Sequence, residues 1–408
     1  MRVLWFSPTP SLYDEKLAGG WVASLERLIK SQCNDIELGI AFEHNDRCFK
    51  IYKEGTTYYT ICKSHTFKNK LDILLNYDAI WRLLRPHCLK VIEDFKPDII
   101  HCFGSEWPFA LVVQDTNIPV VVHMQGFSNI YRLSSSMSSR LSDWYKFYHY
   151  NPLKMFHYWY RSRKGVASDE REQELMKANR YFMGRTDWDR NIVKYYSPAS
   201  KYYYCPEAIR PDIFHSHKIW KYKSHKKMRL ITISSASGLK GNDLILRTAK
   251  LLKQFNFDFE WRVAGSKDSF NFFESIFNIH HEDLNIKLLG FINSEQIIDE
   301  LVNADAYIHT AIIDNSPNSL CEAQLIGCPV VSTNVGGIPQ LVENGKTGIL
   351  YPYNEPHTLA FTLMNIFGDK ELLERLSSNE LKVSHERHDE FKIIQILRSI
   401  YQEIINTH

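Results

Sequence analysis

Two carboxylates, Asp314 and Glu322, stand eight residues apart in the run DNSPNSLCE, and the residues between them suit the start of a helix. The apolar strand Ala306–Thr310 feeds this run. Ser316 is a good N-cap and Pro317 suits the first helical position. The sequence therefore predicts a helix to about Ile326, ended by Gly327. Pro317 has no N–H, so Asn318, Ser319 and Leu320 would present free amides at the positive end of the helix dipole. That is an anion site into which a diphosphate would fit. Asp314 before the helix and Glu322 within it could accept hydroxyls, one from a sugar and the other from a ribose. Downstream, Val335-Gly336-Gly337-Ile338-Pro339 predicts a tight turn that allows close backbone approach. On these residues alone, the same pattern also fits an ordinary strand, capped helix and turn with no ligand.

The elements that must hold this run are short apolar strands alternating with amphipathic helices. Val3–Phe6, Ile36–Phe42, Thr57–Cys62, Ile99–Phe103, Ile118–Met124 and Tyr181–Gly184 read as strands of a first series. A second series starts near Arg229, with strands at Leu230–Ser234, Glu260–Ala264, Ile286–Leu289, Ala306–Thr310, Pro329–Thr333 and Gly348–Tyr351. This βαβ rhythm implies parallel sheets covered by helices. We expect residues 1–214 to form one domain, 215–228 a polar, basic linker and 229–388 a second domain. A last helix over 389–408 could pack back on the first. Doubly wound sheets bind ligands at the carboxyl ends of their strands, so two facing domains would place a site in a cleft.

A formal net charge of +2 argues against a general nucleic-acid binder, although the windows Lys63–Lys70 and Lys218–Arg229 are basic. None of the eight cysteines forms a C-x-x-C pair, and several sit in apolar runs, as small buried residues of a reducing compartment do. No metal site is expected. The N-terminus lacks the pattern of a signal peptide, and no apolar run approaches the ~20 residues needed to span a bilayer. A soluble, cytoplasmic protein is expected, with contact at the inner face of the membrane left open. The section Tyr131–Lys164 is rich in aromatic and basic residues. It fits an acceptor site, a membrane-touching surface or a helical insertion that packs its aromatics internally.

The segment Asp314–Pro352, with CEAQLIGCPVVSTNVGGIPQLV at its centre and NGKTGILYP at its end, resembles the donor-binding signature of glycosyltransferase family 4. Within that family the likeness is to enzymes of bacterial surface polysaccharides. It implies a GT-B fold, α/β with two Rossmann-like domains facing across a cleft. By position, Asp314 would contact the hexose hydroxyls and Glu322 the nucleotide ribose, although Asp stands where the family carries Glu. Lys240-Gly241 matches the element whose Lys neutralises the donor diphosphate; the family's Arg is missing, and Lys240 could also be a surface residue before a helix. Gly19 and Gly20, in AGGW, match a Gly-rich loop that closes on the donor or acceptor. Gln125 falls where relatives carry a His that contacts the reacting sugar. His123 lies two residues earlier on the same strand face, and either could be a structural strand-end residue. Arg185, in MGRTDWDRN, could supply the missing positive charge or pair with Asp187 or Asp189. Gly265 and Gly290 would shape the nucleotide-base pocket. Asp187-Trp188-Asp189 reads as a helix start rather than a metal site, and CPEAIRPDIF resembles the strand that leads into the linker.

The resemblance implies a retaining, metal-independent hexosyltransferase without a cofactor. Its co-substrate would be a nucleotide-sugar, with a UDP-sugar ranked ahead of a GDP-sugar. The acceptor would be a saccharide, free or lipid-linked. Two other readings stay open: a sugar phosphorylase or sucrose-synthase-like enzyme on the same fold, and a non-catalytic nucleotide-sugar-binding protein.

Overall fold

The computed structural model describes residues 1–14, 20–44, 48–62, 69, 71–73, 76–135, 140–235 and 237–408. Gly19 and most of the basic window 63–70 lie outside the described residues. The chain divides into two compact units, one of residues 1–130, 156–210 and 388–408, the other of residues 131–155 and 211–387. By this division residues 131–155 and 211–228 group with the second unit, and the C-terminal helix groups with the first.

The first unit holds eight strands: β1 Arg2–Ser7, β2 Glu37–Glu43, β3 Lys50–Lys53, β4 Thr56–Ile61, β5 Ile99–Phe103, β6 Val120–His123, β7 Tyr181–Gly184 and β8 Lys201–Tyr204. They are ordered β3-β4-β2-β1-β5-β6-β7-β8, and all pairs are parallel except β3 with β4. The central strands are buried on both faces, which is why IIHCF and VVVH read as continuous apolar runs. Successive residues serve opposite cores. Leu4, Phe6, Ile100 and Val122 enter one cluster, while Val3, Trp5, Ile99 and Val121 enter the other. The helix Glu390–Thr407 closes the second cluster with Ile393, Leu397, Ile400, Tyr401 and Ile404, an apolar stripe at helical spacing. Each such large side chain contributes roughly 1.5–3 kcal/mol on burial. CPEAIRPDIF is not a strand: the strand ends at Tyr204, and only Pro211–Phe214 is regular, as a helical turn.

The second unit holds β9 Met228–Ser234, β10 Phe259–Gly265, β11 Ile286–Gly290, β12 Ala306–His309, β13 Val330–Thr333 and β14 Ile349–Tyr351. Their order is β11-β10-β9-β12-β13-β14, all parallel. Strand order therefore reverses between β9 and β12. That is the switch point at which loops from the two strands diverge and leave a crevice at the carboxyl ends. The stretch before β9 is strapped to this unit by Trp220, which donates from its backbone N–H to Ile326 and from its indole to Ala304.

Candidate functional site

The loops after β9 and β12 meet at that switch point. Lys240 follows β9 and Asp314 follows β12, and Lys240 Nζ lies 2.6 Å from Asp314 Oδ2. The two loops are tied by their backbones. Ile312 N donates to Leu239 O at 2.8 Å, and Thr310 Oγ1 donates to Lys240 O at 2.8 Å. Gly241 (φ 66°) makes this approach feasible, since a Cβ there would stand 1.8 Å from the Thr310 oxygen. Asp314 is enclosed from the other side by His309, whose Nε2 lies 3.4 Å from Oδ2 at ion-pair distance. Burial alone would raise the Asp314 carboxyl, but the Lys240 charge and His309 hold it well below the usual carboxylate range. Burial pushes His309 the opposite way, toward its neutral form.

The helix that follows runs Asn318–Ile326. The expected cap is corrected by one residue. Pro317, in extended conformation, is the N-cap and makes no side-chain capping bond. Leu320 is also corrected, because its amide donates to Pro317 O at 3.0 Å and is not free. Among the described residues, no carbonyl takes the amides of Asn318 and Ser319, so the anion site has two donors rather than three. Glu322 lies one turn on from Asn318 and is buried. Tyr307 supports the helix start from β12, its hydroxyl 2.9 Å from Ser319 Oγ and 3.1 Å from His309 Nδ1. Gly336 (φ 54°) closes the wall behind Asp314: a Cβ there would meet the Asp314 carbonyl at 2.0 Å, and Gly337 N donates to that carbonyl at 3.0 Å.

Gly265 and Gly290 end β10 and β11, both at positive φ. At Gly265 the backbone runs so close to β9 that a Cβ would stand 1.8 Å from Ser234 O. At Gly290 a Cβ would stand 4.0 Å from Lys267 Cε, an ordinary contact.

In the first unit, Gly20 is the N-cap of the helix Trp21–Gln32, with nothing near its missing side chain. Trp21 packs edge-on to His123, ring centroids 4.7 Å apart, and the Arg185 guanidinium sits 5.1 Å from the Trp21 ring centroid. Arg185 also donates to the Gln125 carbonyl at 3.3 Å, while Asp187 pairs with Arg190 and Asp189 caps its own helix. The D-x-D pair is therefore a helix start. His123 does not line an open site. It is fully buried between Trp21, Phe103 and His101, so its expected contact with a sugar is not met in this structure. Gln125, beyond the strand end, is partly exposed.

A polar chain runs behind His123. Trp5 donates to the Tyr401 oxygen at 3.2 Å, which leaves the Tyr401 hydroxyl to donate to His101 Nδ1 at 2.6 Å. His101 Nε2 then donates to His123 Nδ1 at 3.2 Å. Burial holds His101 down to about 3 and His123 well below its ordinary value, so both rings are neutral.

Three comparisons bear on this geometry. Residues 216–383 match the sequence model of the family described as Glycosyl transferases group 1. The Amylovoran biosynthesis glycosyltransferase AmsK of Erwinia amylovora is 26% identical over 207 residues, 49% of this chain and 50% of that protein. The chain thus spans about half the length of that curated relative. Over whole chains, the structure resembles sucrose-phosphate synthase from Thermosynechococcus elongatus (TM-score 0.72, 12% identity, 100% of each chain covered). It also resembles Anabaena HepE in complex with UDP-glucose (TM-score 0.67, 16% identity, 98% of this chain and 100% of that one). The fold is the expected GT-B class.

Four supporting residues escaped the sequence reading. Tyr307 and His309 alternate on one face of β12 just before Asp314, a period-two signal that was available. In the first unit, Glu106 and Glu172 carried no such signal, since 66 residues separate them. Glu172 accepts from Ser105 Oγ at 2.5 Å and from Ser128 N at 2.8 Å, and burial, followed by the Glu106 charge, pushes its carboxyl up to about 8.

Proposed function

We propose that the chain is a retaining, metal-independent glycosyltransferase that moves a hexose from a nucleotide-sugar to a saccharide or lipid-linked saccharide acceptor, in polysaccharide or glycoconjugate synthesis. The observation that carries the reading is the meeting of Lys240, Asp314 and the free amides of Asn318 and Ser319 at the β9–β12 switch point, within the residues that match the group 1 family model. The two amides and the helix dipole would bind the donor diphosphate, with Lys240 as its counter-charge. Glu322 would accept the ribose hydroxyls and Asp314 the hexose hydroxyls. A UDP-sugar is favoured, in keeping with the UDP-glucose that Anabaena HepE binds.

In the transfer step, the bond between the sugar's anomeric carbon and the phosphate oxygen breaks, its electron pair leaving on the diphosphate. The acceptor oxygen bonds to the anomeric carbon on the same face, and its proton passes to the departing phosphate oxygen. Lys240 and the helix amides stabilise that developing charge. Gln125 is the further candidate for contact with the reacting sugar, and Arg185, which donates to the Gln125 carbonyl, for the added positive charge. His123 acts from beneath, by holding Trp21. A thermal-shift screen of UDP-, GDP- and ADP-sugars tests the donor, since a bound donor raises apparent stability by mass action. NMR of the product anomer tests the stereochemistry: an inverted anomer overturns the retaining step, and no shift with any donor overturns the reading.

A further inference from the structure

The helix Pro152–Ala178 is anchored at one end and uncovered at the other. Its second half buries Asp169, Arg171, Glu172, Leu175 and Met176. Over residues 152–164, by contrast, ten of the thirteen positions are exposed. Three of the exposed residues are large and apolar: Leu153 at 79%, Phe156 at 60% and Trp159 at 49%. Leaving such side chains in water forgoes roughly 1.5–3 kcal/mol each, and scattered exposed apolar residues would need no explanation, but these share one face. At about 100° per residue, Leu153, Phe156, Trp159 and Tyr160 fall within an arc of roughly 120°, and the Phe156 and Trp159 rings touch at 5.7 Å. The aromatic residues just upstream behave differently, Trp144 and Phe147 packing on Phe272 at 4.2 and 5.0 Å.

Charge identifies what the uncovered face meets. From Leu153 to Ser168 the sequence has four cations, Lys154, Arg161, Arg163 and Lys164, and no Asp or Glu. The chain as a whole is nearly balanced, at +2, so this helix is a local excess. Arg163 lies within the aromatic arc at its C-terminal end and Lys164 at its edge, while Lys154 and Arg161 lie toward the opposite face of the helix. Aromatic residues at the level of lipid headgroups, with long cationic side chains reaching the phosphates, are what an anionic bilayer surface takes. We propose that the exposed half of this helix docks the chain on an anionic lipid surface, inserting Phe156 and Trp159 and setting Arg163 against lipid phosphates. The proposal is independent of the donor site.

Vesicle co-sedimentation tests it, using the full chain with vesicles of phosphatidylcholine alone or mixed with phosphatidylglycerol. The parent chain should sediment with the mixed vesicles at low salt and be released by high salt. Arg163→Gln should weaken that binding roughly fivefold, from the effect of one cation near a charged surface. Phe156→Ser with Trp159→Ser should weaken it about tenfold or more. Unchanged thermal melting of both variants shows that the fold is intact, as surface changes should leave it. Equal binding by parent and variants overturns the proposal, as does binding to phosphatidylcholine alone that ignores salt. Self-association of the parent chain that Phe156→Ser with Trp159→Ser abolishes, without an effect on vesicles, would assign the face to a second copy and also overturn it.

Discussion

Lys240 Nζ and Asp314 Oδ2 stand 2.6 Å apart although 74 residues separate them, because each residue leads the loop after one of two adjacent parallel strands. The pair is mostly buried, with Asp314 the more enclosed partner. Removing one partner strands the other charge in a site that has little water to solvate it. Lys240→Met should therefore cost about 2 kcal/mol in urea unfolding, less than the loss of a fully enclosed pair would cost. Adding Asp314→Asn to Lys240→Met should recover most of that loss while leaving transfer activity abolished. A double variant less stable than the single one would show that the ion pair does not set the cost.

The buried histidines give a pH prediction. His101 is held down to about 3 by burial, so below pH 6.5 the unfolded chain takes up a proton there that the folded chain refuses. Stability from this group is therefore present above about 6.5 and falls as pH drops, by about 1.4 kcal/mol per pH unit. Glu172 acts in the opposite sense. Its folded value of about 8 means it favours the fold at low pH and loses that contribution as pH rises toward 8. The clean observable is a difference: between pH 6 and 4, His101→Asn should have a shallower stability slope than the parent chain by one group's worth. Identical slopes would mean that His101 titrates normally in the fold.

Backbone approach at two glycines is as specific as the side-chain chemistry. Gly336→Ala would set a Cβ 2.0 Å from the Asp314 carbonyl, and Gly241→Ala one 1.8 Å from the Thr310 carbonyl, both at positive φ. Each should cost at least about 2 kcal/mol and displace the loop it closes. Gly20→Ala, with open space and φ −88°, should be tolerated in stability. Denaturant midpoints of the three variants check the contrast, and a Gly336→Ala protein as stable as Gly20→Ala would contradict it.

Much of the donor half was legible because its strands are apolar and its turns have definite chemistry. The strand read at Leu230–Ser234 lies within Met228–Ser234, and Gly327 ends the Asn318 helix in a left-handed cap. The two missed strands, Lys50–Lys53 and Lys201–Tyr204, are sheet edges whose residues stay largely exposed, so neither shows the burial pattern that marks a strand in sequence. The cap at Ser316 was misplaced because Pro317 adopts an extended conformation and starts the helix one residue late. His123 carried the right residue type at a strand end, but alternation does not say which core a face enters. Only packing by Trp21, His101 and Phe103 shows that the ring is enclosed. Six of the eight cysteines are buried as expected, while Cys48 is exposed and Cys62 partly so, beside the polar edge of the first sheet.

The central claim is that a nucleotide-sugar binds where the Asn318 helix starts and that Glu322 holds its ribose. Titration calorimetry of UDP-glucose against the parent chain and Glu322→Gln tests it most directly. The account predicts binding at one site in the parent chain and an affinity about 10–100-fold lower in the variant, the loss of hydrogen bonds to a charged acceptor, with melting unchanged in the absence of ligand. Equal affinity in the two proteins, or no binding of UDP-glucose to the parent chain, would contradict it.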